Sequence, residues 1–131
     1  MRLWHEKLLP YLPRQQLLGQ HRECAALRGA GWGRKHSVVN YVFTHSPDLL
    51  VAYHYRVMNE MKRRGYNPDS SWYNCEWRGN KLQKQEGWSN ESAVQVIITN
   101  PALIYKEHDN EYLKECLSNL QEKGINLWSN F

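Results

Sequence analysis

Three stretches of the chain repeat apolar residues at three-to-four spacing, the period of a helix with one buried face. The first spans 13–29, with Leu17, Leu18, His21, Cys24, Ala25 and Arg28 on one stripe. Pro13 suits its first turn, where the missing N–H has no partner to lose. Gly29 and Gly31 suit its end. The second spans 46–64: Ser46 is a good N-cap, Pro47 a good first residue, and Asp48 complements the positive helix end. Leu50, Tyr53, Val57 and Met61 form its stripe, Lys62, Arg63 and Arg64 fill its last turn, and Gly65 stops it. The third spans 110–123 on Leu113, Cys116, Leu117 and Leu120, with Gly124 after it.

Elsewhere the pattern is weaker. A short helix fits 36–44, and 92–98 reads equally well as helix or strand. The stretch 66–92 is rich in turn formers and holds Trp72, Tyr73, Trp77 and Trp88. A loop of that length is usually functional or mobile. No repeat or low-complexity linker interrupts the chain. The expected fold is mainly α: one compact domain over 1–131, with about three main helices and long ordered loops.

Composition narrows the class. With 131 residues, 41% of them hydrophobic, the chain can bury a modest core and is not a disordered tail. Seventeen Lys and Arg against 13 Asp and Glu give a net charge of +4, which permits an anionic partner without requiring one. Three cysteines, Cys24, Cys75 and Cys116, show no CxxC or zinc spacing and read as reduced core thiols. The six histidines form no HExxH pattern, so no metal site is expected, and no cofactor is expected either. No signal peptide or membrane span is evident, so the expectation is a cytoplasmic monomer with no membrane partner.

Candidate chemistry centres on the first helix. Glu23 leaves the apolar stripe and shares a face with Gln16, Gly19, Gln20 and Ala26, all polar or very small. A carboxylate beside Arg22, on a surface cleared of bulk, suits general acid–base work or stabilisation of a cation. The same pair also reads as a solvated ion pair. Next comes "RGAGWGRKH", 28–36, whose glycines permit close approach to phosphates and whose Arg28, Arg34 and Lys35 would pair with them. It is not a P-loop, and it reads equally as a turn between helices. In "KRRGYNPDSS", 62–71, Ser70, Ser71 and main-chain N–H groups offer a second phosphate site, or simply a helix end and turn. The tryptophans suit either base stacking or the core.

These residues carry a resemblance. The helix with Gln15, Leu17, Arg22 and Glu23, the segment "MKRRGYNPDSS", the run "GRKHSVVNYVF" and an aromatic tail with Trp128 and Phe131 resemble the small pyrimidine-dimer DNA glycosylases of the phage endonuclease V type. The resemblance covers residues 1 to about 71 well and the rest loosely. It implies a glycosylase with abasic-site lyase activity on duplex DNA carrying damaged bases. The catalytic residues it implies are Met1, Arg22 and Glu23. The family's nucleophile is the α-amine at the chain start, its glutamate stabilises the cationic sugar, and its arginine holds the DNA. The expected DNA contacts are Arg2, Arg14, Gln15, Gln16, Arg28, Arg34, Lys35, Asp69, Ser70 and Ser71.

The chain departs from the family pattern at three points. The residue after Met is small in the phage enzyme and is Arg2 here, too large for ordinary Met removal. The amine would then belong to Met1, with Lys7 as the side-chain alternative. A family histidine is Gln16 and a family arginine is Ala26, which leaves the lesion more open than the mechanism. Three rival readings follow: a glycosylase for another modified base, a non-catalytic DNA-binding module, and a protein-interaction domain using the tryptophan-rich loop.

Overall fold

Five α-helices follow one another in the computed structural model, which describes residues 2–131: α1 (Arg14–Arg28), α2 (Pro47–Arg63), α3 (Gly79–Leu82), α4 (Glu91–Thr99) and α5 (Asn110–Glu122). No strand forms among the described residues. One isolated bridge pairs Trp77 with Lys84. The mainly α expectation is met, with α1, α2 and α5 as the three long helices.

α2 is the central element, and its sequence explains why. The Ser46 hydroxyl accepts the Asp48 N–H, and Pro47 opens the helix. Beyond the expected stripe, Val51, Ala52, His54, Tyr55 and Met58 are also buried. A helix apolar on most sides must be covered on most sides, and both α1 and α4 pack against α2. Gly65, at φ +87°, turns the chain away, a conformation that an L side chain rarely adopts.

The ambiguous 92–98 segment is the helix α4. Its β-branched residues favour a strand, but tertiary contacts hold both helix ends. Asp48 Oδ1 accepts the Ser89 hydroxyl (2.6 Å) and the Asn90 N–H (2.8 Å). The Asn90 side chain then accepts the Ala93 N–H as N-cap. At the other end, Arg56 Nη2 donates to the Ile98 and Asn100 carbonyls. Within 36–44, only Asn40–Thr44 is regular, as a 3-10 helix. The long loop is ordered by the 3-10 turn Ser70–Tyr73, by α3 and by the bridge.

Cys24, Cys75 and Cys116 are free and buried. No described helix is long and apolar enough to cross a membrane.

Candidate active site

The site is built around the segment before α1. Residues 2–5 form no regular structure ahead of the 3-10 turn Glu6–Leu8, so side chains must satisfy their backbone groups. Gln20 on α1 does most of this. Its Oε1 accepts the Trp4 N–H (2.6 Å), and its Nε2 donates to the Arg2 carbonyl (2.8 Å). One side chain therefore grips the backbone on both sides of Leu3. The Tyr53 hydroxyl, 2.7 Å from both the Trp4 carbonyl and Gln20 Oε1, locks the amide from α2. The Tyr112 hydroxyl donates to the Leu3 carbonyl from α5 (2.5 Å), and His108 Nδ1 accepts the Glu6 N–H (3.2 Å).

This corrects one expectation. Gln20 shares a face with Glu23 in the sequence but is only 2% exposed. The cleared surface is narrower than the helical pattern suggests, and Gln20 is its buried floor.

Above that floor lies a cleft of about 330 Å³. The leading segment contributes Arg2 and Trp4, and α1 contributes Gln16, Gly19, Gln20 and Glu23. Val38 closes one side, and Asn119 and Lys123 come from the end of α5. The carboxylate oxygen Oε2 of Glu23 is buried without a hydrogen-bond partner among the described residues. A buried carboxylate oxygen without a donor is costly unless a ligand supplies one. Arg2 is held by Glu115 (3.2 Å) and lies over the Trp4 and Tyr112 rings.

Arg22 is exposed beside the cleft. Its guanidinium passes over Gly19: a Cβ built at Gly19 would sit 3.6 Å from Nη2. Arg22 also lines a second depression with Arg14, Gln15 and Leu18. Arg14 stacks on Tyr66, 5.4 Å from the ring centroid. The structure thus gathers Arg2, Gln16 and Glu23 in one cleft, with Arg14, Gln15 and Arg22 on the adjoining surface. Met1 lies outside the described residues. Lys7, the alternative nucleophile, is exposed and does not line the cleft.

Arg28 is a second correction. It is fully buried, so it is not a surface contact for DNA. Its Nη1 donates to the Trp72 carbonyl (2.8 Å) and faces His54 Nδ1 (3.0 Å). Its Nη2 donates to the carbonyls of Asn74 (2.8 Å) and Trp77 (3.0 Å). Burial lowers its pKa to about 10, which still leaves it charged at neutral pH. Arg28 staples the end of α1 to the loop at 72–77.

The glycine-rich stretch is a helix stop. Gly31 N–H returns to the Ala26 carbonyl (3.0 Å), and a Cβ on Gly31 would lie 2.7 Å from that oxygen. Trp32 then packs edge-on against Phe43 and Trp88. Arg34 and Lys35 are exposed after the turn. Asp69 has a structural role too: its carboxylate accepts the Ser71 N–H (2.9 Å) and caps Ser70–Tyr73. Asp69 is exposed, and its charge suits it to accept from a base edge rather than to meet a phosphate. Ser70 is exposed and Ser71 half-buried.

Sequence reasoning missed Gln20 as a clamp, and Val38, Asn119 and Lys123 as cleft walls. No local motif marks them, because each acts on residues distant in the chain.

Fold and site together define a small helical protein with a carboxylate in a cation-flanked cleft beneath its N-terminal segment. A family model described as pyrimidine dimer DNA glycosylase matches residues 1–74, more than half of the chain, and the chain belongs to that family. Searches of curated proteins and of solved structures returned no match.

Proposed function

We propose that this protein releases damaged bases from duplex DNA, pyrimidine dimers first, and then nicks the strand at the resulting abasic site. The observation that carries this reading is the buried Glu23 oxygen without a donor, in a cleft that also holds Arg2.

The chemistry follows from the family resemblance, with Glu23 and Arg2 in the cleft. The α-amine of Met1 is the nucleophile; an α-amine has a useful neutral fraction at pH 7. It attacks C1′ of the damaged nucleotide, and the base leaves. The sugar becomes an imine bound to the protein, which makes the 2′ proton acidic. Loss of that proton expels the 3′ phosphate. Glu23 stabilises the cationic sugar and assists the proton transfers. Arg22 holds a neighbouring phosphate, with Arg14, Gln15, Arg34, Lys35, Ser70 and Ser71 further along the backbone. The target nucleotide must leave the stack to reach the cleft, and unstacking is cheapest at a damaged step.

The test is borohydride trapping on three duplexes: ultraviolet-irradiated, abasic and undamaged. The expected result is an adduct on the N-terminal peptide with the first two only. Glu23→Gln is expected to bind irradiated duplex normally and to release no base. Trapping on abasic DNA alone would keep the lyase and move the search to another base. No adduct on any duplex would overturn the reading.

A further inference from the structure

α1 carries a histidine whose protonation state is set from inside the core. The Arg28 guanidinium offers only donors. It faces His54 Nδ1 at 3.0 Å, so that nitrogen accepts and carries no proton. His54 is fully buried, hence neutral, with its proton on Nε2. That Nε2 lies 2.8 Å from His21 Nδ1. His54 therefore donates, His21 Nδ1 accepts, and the His21 proton sits on Nε2. Protonating His21 at Nδ1 would set two N–H groups head to head. His54 cannot yield by changing tautomer, because Arg28 faces its other nitrogen.

The outer nitrogen is the free one. His21 is half-buried, and no described residue hydrogen-bonds its Nε2. The charged groups around it are Arg22 and Arg28 on its own helix and Asp69 on the loop packed beside it. Burial and the two cations outweigh Asp69 and lower the ring's pKa. His21 follows Leu18 by three residues and adjoins Arg22, so it neighbours two of the residues that line the second depression without lining it itself.

We infer that His21 is a DNA-binding residue, presenting Nε2–H as a permanently neutral donor to a backbone phosphate beside Arg22. The inference rests on the DNA-binding reading above. It assigns the buried Arg28–His54 pair a task beyond stapling the loop: it orients and discharges a surface donor. A neutral donor holds a phosphate with the same strength on either side of pH 6.5. It also displaces no counterion.

The first test is ring-nitrogen NMR on the full chain between pH 5 and 8, with and without duplex. The expected pattern is an Nε2–H tautomer at His21, no titration near 6.5, and movement of Nε2 on duplex binding. His21→Ala is expected to weaken duplex binding about three- to tenfold with the wild-type salt slope. Arg22→Ala is expected to lower that slope by about one. His54→Leu frees Nδ1, so His21 should titrate and binding should strengthen as pH falls. A wild-type His21 that titrates near 6.5 overturns the inference, as does an Nε2 unmoved by bound duplex. A chain that binds no duplex fails the DNA reading itself, and the tautomer pattern of the free protein tells that failure apart.

Discussion

The Nε2 of Gln20 donates to the backbone carbonyl of Arg2 across a separation of eighteen residues, at 2.8 Å. The Arg2 carbonyl belongs to the second residue of the chain, and Glu23 stands one turn beyond Gln20 on the same helix. The Arg2 backbone and the Glu23 carboxylate are thus fixed to one rigid element.

Gln20→Leu keeps the volume and removes every polar partner. The Trp4 N–H and the Arg2 carbonyl are then left unsatisfied in the interior, and the Tyr53 hydroxyl loses one of its two acceptors. We expect a loss of about 2–4 kcal/mol by urea unfolding. Gln20→Glu, which keeps the acceptor, should lose less. A change under about 0.5 kcal/mol for the leucine variant would remove Gln20 from its clamping role.

Arg28→Met separates structure from binding. The carbonyls of Trp72, Asn74 and Trp77 lose their donors in a buried setting. Stability should fall by about 3 kcal/mol or more. At pH 8, where His21 is neutral with or without Arg28, the salt dependence of duplex binding by the remaining folded protein should match wild type. A shallower slope with unchanged stability would return Arg28 to the list of phosphate contacts.

Gly19→Ala should stabilise and impair together. The new methyl meets nothing closer than Arg22 Nη2 at 3.6 Å, and alanine is favoured over glycine inside a helix by about 1 kcal/mol. That methyl also stands in the cleft wall beside Glu23. The expected outcome is a higher melting temperature with slower base release. Unchanged turnover would place the sugar elsewhere.

Stability should also depend on pH. His108 is held at a pKa of about 3 by burial, and burial lowers that of His54 as well. In the unfolded chain both take a proton near 6.5. The unfolded state therefore binds more protons, between about 3 and 6.5 for His108 and below 6.5 for His54. Their contribution is complete above pH 6.5 and is lost as pH falls. The slope is at most about 1.4 kcal/mol per unit per histidine. Glu60, whose pKa its bonds to Arg63 and Arg64 lower, adds its own loss only below about 4.5. Denaturant unfolding between pH 4.5 and 6.5 isolates the histidines, and a flat profile there would contradict their buried neutral state.

The helices were largely readable in the sequence because their signals are local. Ser46, Pro47 and Gly65 bracket α2 by capping and φ preference alone. α4 was not decided locally: its valines and isoleucines suit either form, and Asp48 and Arg56 settle the matter from a different helix. Arg22 and Glu23 stood out because a charged pair beside glycine is visible in one turn of helix. Gln20 and Arg28 did not, because their partners are main-chain atoms, which carry no sequence signature. A polar residue on a helix looks the same whether it meets water or a distant carbonyl.

The cleft joins residues 2 and 4 to residues 119 and 123. Its walls come from opposite ends of the chain, and closing so long a span is slow. A chain still emerging from the ribosome has α1 and Glu23 but lacks the wall of the cleft that α5 supplies. Under the proposed function, base release would wait until residues 119 and 123 have joined residues 2 and 4 around Glu23.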